Sequence, residues 1–124
     1  EIREGRDRNP GLTTFVSRLY TKALGRQYEV AGLNDWCNRI LDGQWTINDV
    51  STTGFFNSQE FINKNMSDSE YVKTLYRTFF DREYDQPGYE DWMNQLANGV
   101  DRNTVLQGFA NSREFADLKR SFGL

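Results

Sequence analysis

Apolar residues recur along this chain at helical spacing. Phe15, Leu19 and Ala23 stand at i, i+4 and i+8, with Val16, Tyr20 and Leu24 beside them. That spacing predicts a helix with one broad apolar face, entered at Pro10, whose fixed φ suits a helix start. Leu33, Trp36, Cys37, Ile40 and Leu41 draw a second such face, and Gly43 stands where a C-cap glycine is expected. A third helix is expected from Thr46, because Thr46-x-x-Asp49 resembles a capping box with Asp in place of Glu. Ser58 can cap a short fourth helix carrying Phe61. No segment alternates at period two over a strand's length, so the expected class is all-α.

The same pattern then runs a second time. Shifted by 56, Val16-x-x-Leu19-Tyr20 returns as Val72-x-x-Leu75-Tyr76, Arg26 as Arg82, and Tyr28 as Tyr84. Gly32-x-x-Asp35-Trp36-x-Asn38 returns as Gly88-x-x-Asp91-Trp92-x-Asn94, and Gly43 as Gly99. Downstream the shift becomes 54: Gly54-Phe55-x-Asn57-Ser58-x-Glu60-Phe61 returns as Gly108-Phe109-x-Asn111-Ser112-x-Glu114-Phe115. The second copy is therefore two residues shorter, and Asp101 is expected to cap its third helix. Ser67-x-x-Glu70 opens the second copy as a capping box, and Pro87 stands before the helix of Trp92. The expected division is a polar linker or arm at 1–9, helical repeat 1 at 10–66 and helical repeat 2 at 67–124. A unit of about 55 residues buries little surface alone, so the two are expected to pack into one compact helical domain of a larger protein.

Composition narrows the chemistry. Of the 124 residues 15% are aromatic, enough to build a core despite a mean hydropathy of -0.77. The net charge of -3 and the lack of a basic run argue against a nucleic-acid partner. No apolar stretch reaches the roughly 20 residues of a membrane span, so no membrane insertion is expected. One cysteine and no histidine exclude an intramolecular disulfide, a Cys/His zinc site and a histidine general base. Glu1 opens the chain without a signal-peptide pattern, which fits a domain excised from its parent.

The succession aromatic-Val-x-x-Leu-Tyr, then Gly/Asp-Arg-x-x-Asp/Glu-x-x-Gly-x-x-x-Trp, then Phe-x-x-Ser-x-Glu-Phe resembles the bacterial family called domain of unknown function 4214. The likeness covers about residues 12–118 in both copies. The second copy is nearer, with Asp81, Arg82 and Asp85; the first departs at Gly25 and Glu29. The resemblance implies an accessory module in a large secreted or cell-surface bacterial protein, non-catalytic, with a protein or glycan partner and no assigned ligand. A more distant likeness to phycobilisome linker domains implies a protein-organising role instead.

Each candidate residue carries a structural and a functional reading. Trp36 and Trp92 are expected in the core with Leu19, Leu75, Phe61 and Phe115, because their helical spacing matches a buried stripe. Arg26 and Arg82 each precede an acid, Glu29 and Asp85, by three residues; a loop-stapling ion pair is favoured over an anion or glycan contact. Asp81, Asp85 and Asp91 could supply calcium oxygens, yet their spacing lacks an EF-hand's alternation, and Asp85 is better read as the N-cap of the Trp92 helix. No other cofactor is expected. Trp45, Tyr28 and Tyr84 sit among polar residues and suit ligand stacking or a loop lid equally. Trp45 has no aromatic counterpart; at the 56 shift it falls on Asp101. The expected function is a binding or scaffolding module. The alternatives are a carbohydrate-binding module using the loop aromatics, a calcium-stabilised adhesin segment, and a phycobilisome-like linker.

Overall fold

The computed structural model describes residues 3–124. Nine helices follow in chain order among the described residues: α1 (Gly5–Arg8), α2 (Pro10–Arg18, continued by a wide turn Leu19–Leu24), α3 (Val30–Leu41), α4 (Ile47–Asp49, continued by a wide turn Val50–Phe56), α5 (Gln59–Ile62), α6 (Asp68–Phe79), α7 (Gln86–Ala97), α8 (Arg102–Ala110) and α9 (Arg113–Ser121). The chain is all-α. Helices α2 to α5 form the first copy and α6 to α9 the second.

Capping sets most boundaries. The side chains of Asn9, Thr46, Ser58, Ser67, Asp85, Asp101 and Ser112 each accept a backbone N–H three residues on. These bonds satisfy donors that a helix start leaves free. At the other end of α3 and α7, Gly43 and Gly99 take positive φ, and the next N–H reaches back to Arg39 and Gln95.

The missing two residues divide between a loop and a helix. Thr46 and Asp101 cap the same helix at a shift of 55, so Trp45 corresponds to Val100, and the expected match of Trp45 with Asp101 is corrected. One residue is lost before the cap. The other lies inside α4, which spends ten residues, 47–56, where α8 spends nine, 102–110. The surplus is absorbed as a π turn, visible in the bond from Asn57 N–H to Thr52 O. Ser51 and Thr52 stand where the second copy has Leu106, and their hydroxyls donate to Ile47 O and Asn48 O. Those bonds occupy carbonyls that a widened turn leaves underused.

The two copies share one hydrophobic core and pack reciprocally. Phe115 at the end of copy two lies 5.1 Å from Phe15 at the start of copy one. The equivalent pair, Phe61 and Tyr71, lies at 5.9 Å. The third helices exchange equivalent bonds, Asn48 with Asn111 and Asn57 with Asn103, each at 3.4 Å. Such paired contacts are those of an isologous interface, so the copies are related by a pseudo-two-fold axis. Phe79 sits at its centre, against Phe15, Phe56 and Phe115.

Two expectations need correction. Residues 5–8 are not a free arm. The Arg6 N–H donates to Asn34 Oδ1, Arg8 binds Asn38 and Asp42, and Gly5 lies against the Asn34 carbonyl with no room for a Cβ. Glu1 and Ile2, also placed in that arm, lie outside the described residues. The second correction concerns Trp36 and Trp92, which are half-buried at the margin of the core, whereas Leu19, Leu75, Phe61 and Phe115 are buried within it. Each indole lies on a third-helix glycine, and a Cβ on Gly54 or Gly108 would come within 3.2 and 2.5 Å of it. Trp36 also packs against Phe55 at 5.7 Å and Trp92 against Phe109 at 5.2 Å, while part of each indole stays exposed. With α1 on it, α3 buries Leu33, Cys37 and Ile40; the equivalent α7 buries no residue fully.

Candidate functional site

The repeated arginines form clamps. Arg26 donates from Nε and Nη2 to both oxygens of Glu60, at 2.7 and 3.1 Å, and from Nη1 to Gln27 O and Glu29. Arg82 does the same with Glu114 at 3.0 and 2.8 Å, and with Glu83 O and Asp85. Each guanidinium also lies over an aromatic ring, Tyr20 at 5.1 Å and Tyr76 at 5.2 Å. The sequence pairing with Glu29 and Asp85 is therefore present but secondary, at 3.2 and 3.4 Å. The main partner is the glutamate of the Ser-x-Glu-Phe motif, which sequence reasoning missed. Its signal was there: both glutamates recur at one fixed distance from the capping serine. The Arg26 guanidinium holds the Glu60 carboxyl below its usual range. Every nitrogen of both guanidiniums has a partner within the chain, which leaves little to offer an anion or a glycan.

The acids proposed for calcium do not converge. Asp85 Oδ2 accepts from Gly88 N–H, and that bond first of all keeps its pKa low. Asp91 binds Gln95. Asp81 has φ of 52°, the left-handed turn that Gly25 makes in copy one at 68°. The Gly25 to Asp81 difference thus marks two solutions to one backbone turn. No cluster of three acids or thiols able to hold a metal occurs among the described residues.

Cys37 is buried beside the Thr13 hydroxyl at 3.6 Å, and burial raises its pKa, so the thiol is protonated and shielded.

The loop aromatics separate. Tyr28 lies 6.4 Å from Tyr20, edge-on, and Tyr84 packs at a tilt against Tyr89 at 4.5 Å under Lys73. Trp45 stands apart from both. Half-buried, it meets the edge of Trp36 at 5.6 Å and walls a groove of about 610 Å³ between the copies. Ile40 and Ile47 line it from copy one; Ala116, Lys119 and Arg120 line it from α9 of copy two. That volume falls in the range of small-ligand and side-chain pockets. Among the described residues, no side chain lining it carries a carboxylate or a thiol. Chemically it can hold an apolar group against an indole under a cationic rim. Of these residues only Trp45 was legible as a candidate, because the groove exists only where the two copies meet.

One family model, described as Domain of unknown function (DUF4214), matches the chain twice, over residues 4–64 and 52–119. No curated protein matches, and no solved structure matches.

Proposed function

Because the chain belongs to the DUF4214 family, in two tandem copies, we propose that it is a non-catalytic binding module of a larger secreted or cell-surface bacterial protein, with the Trp45 groove as its contact site. The observation that carries this reading is the groove itself. There an aromatic residue outside the repeat pattern, an apolar wall and the cationic side chains of Lys119 and Arg120 come together. A binding role also suits the residues elsewhere. The repeated arginines and loop acids are committed to bonds within the chain, which supports reading them as architecture.

The partner of such a site is a protein segment or a glycan, and arrays of each, probed with the wild type and with Trp45→Ala, test the assignment. Removing an anchoring tryptophan is expected to weaken binding by about tenfold or more. Tyr28→Ala and Tyr84→Ala, at residues that do not line the groove, are expected to leave it unchanged. Wild-type silence on both arrays, or binding that survives Trp45→Ala, would sink the assignment.

A further inference from the structure

The pseudo-two-fold axis gives the molecule two equivalent crevices. Each lies between the first turn of a third helix and the last helix of the other copy. In one, Arg102 of α8 fills the space. Its guanidinium sits 4.9 Å above the Tyr71 ring and donates to Asp68 Oδ1 at 2.7 Å and to Met66 O at 2.8 Å. That crevice, walled by Phe61 and Tyr71, retains about 270 Å³. In the other, the residue equivalent to Arg102 is Ile47, which cannot reach across, and the crevice stays open as the Trp45 groove at about 610 Å³. The chain narrows one crevice with its own Arg102 side chain and leaves its twin the wider of the two.

The lining identifies what fits. Ile40, Trp45, Ile47, Ala116 and Leu124 make an apolar floor and wall, and among the described residues the charged side chains lining the space are Lys119 and Arg120. Few free hydrogen-bonding groups remain for sugar hydroxyls. The Thr46 hydroxyl accepts from Asp49 N–H, and Lys119 donates to Asn48 while resting 5.2 Å from the Phe115 ring. Arg120, with its side chain 68% exposed, is held only by Asp117 three residues back. An exposed pair of that kind contributes little, so an incoming carboxylate can replace Asp117 at small cost.

We propose that the groove receives an acidic, apolar peptide segment of a partner protein: an apolar side chain seats against Trp45 and Ile47, and a neighbouring carboxylate pairs with Arg120 and Lys119. This rests on the groove being the binding site and adds the class of ligand. The test is selection from a random-peptide phage library on the immobilised protein, followed by fluorescence anisotropy with the enriched peptides. Expected are sequences with a large apolar residue flanked by Asp or Glu, whose binding weakens with added salt as exposed charges are screened. Trp45→Ala is expected to weaken them by about tenfold or more, as for an anchor residue. Arg120→Glu, at a position outside the core, is expected to turn the preference toward Lys- and Arg-flanked sequences. Circular dichroism melts of both variants establish that they fold. No enrichment, or enrichment indifferent to Arg120→Glu, overturns the acidic-peptide assignment while leaving the groove in place if Trp45→Ala still abolishes binding of another probe, such as an oligosaccharide. Enriched peptides whose binding ignores Trp45→Ala overturn the groove as well.

Discussion

Arg26 and Arg82 join loop to last helix in their own copies, and the contribution of each clamp can be separated. Both arginines and both glutamates are partly exposed, so a double-mutant cycle of Arg82→Ala and Glu114→Ala is expected to give a coupling of only about 0.5–1 kcal/mol. The Arg26 clamp also contributes to the acid limb of stability. Arg26 holds the Glu60 carboxyl below its unfolded pKa of about 4.3, so its contribution is complete above that pH and is lost as pH falls through the lower folded value. The melting temperature is expected to drop below about pH 4.5, and less steeply in Arg26→Gln; parallel acid limbs in the two proteins would contradict the pairing. A second residue-scale expectation concerns the left-handed turns. Gly25→Ala places a Cβ at φ 68° and is expected to cost about 1–2 kcal/mol, whereas Asp81→Gly relieves the same geometry and is expected to be neutral or stabilising by up to about 1 kcal/mol. Equal effects of the two in urea denaturation would contradict that equivalence. At this scale the caps were legible, because a serine or aspartate three residues before its partner is local chemistry. The true partner of each arginine was not, since it lies 34 or 32 residues away.

Between single residues and the whole lies α4, whose π turn records how one copy holds an additional residue. Ser51 and Thr52 occupy the space that Leu106 fills in α8, with their hydroxyls turned back onto the helix. Deleting Ser51 together with Thr52→Leu writes the α8 register into α4 and is expected to keep the fold, within about 1 kcal/mol of the wild type. Deleting Leu106 from α8, which has no turn to absorb the change, rotates half of that helix's buried face and is expected to cost about 3 kcal/mol or more. Similar thermal melts for the two deletions would contradict the bulge reading. The helices themselves were readable from apolar period and caps. The π turn was not, because a shift that falls from 56 to 54 does not say where the residues go. Nor was the half-burial of Trp36 and Trp92, since period gives the face of a helix and not the depth of its cover. In α7 that cover is thin: Tyr89, Trp92, Met93 and Leu96 pack against the core without being buried in it. Helix α1 escaped prediction because EIREGRDRN carries almost no apolar signal; its attachment is polar and backbone-mediated.

For the molecule as a whole, the reciprocal packing does most to decide what it is. The pairs Phe15–Phe115 and Phe61–Tyr71 tie the end of each copy to the start of the other, so neither copy can bury its core without its partner. The Trp45 groove depends on that union, since its walls come from both copies. Duplication was plain in the sequence, but the orientation of the copies was not, because one-dimensional similarity carries no rotation. Equivalent residues in contact across the axis supply it. The three tryptophans make the union measurable: Trp36→Phe with Trp45→Phe leaves Trp92 reporting on copy two, and Trp92→Phe leaves Trp36 and Trp45 reporting on copy one. Urea unfolding of the two variants, each followed by both tryptophan fluorescence and far-ultraviolet circular dichroism, is the most direct test of a single shared core. The expected result is one cooperative transition in each variant, with coincident midpoints for the two probes. A fluorescence transition displaced from the dichroism transition in either variant, with one copy melting while the other stays folded, would contradict the shared core and the groove built on it.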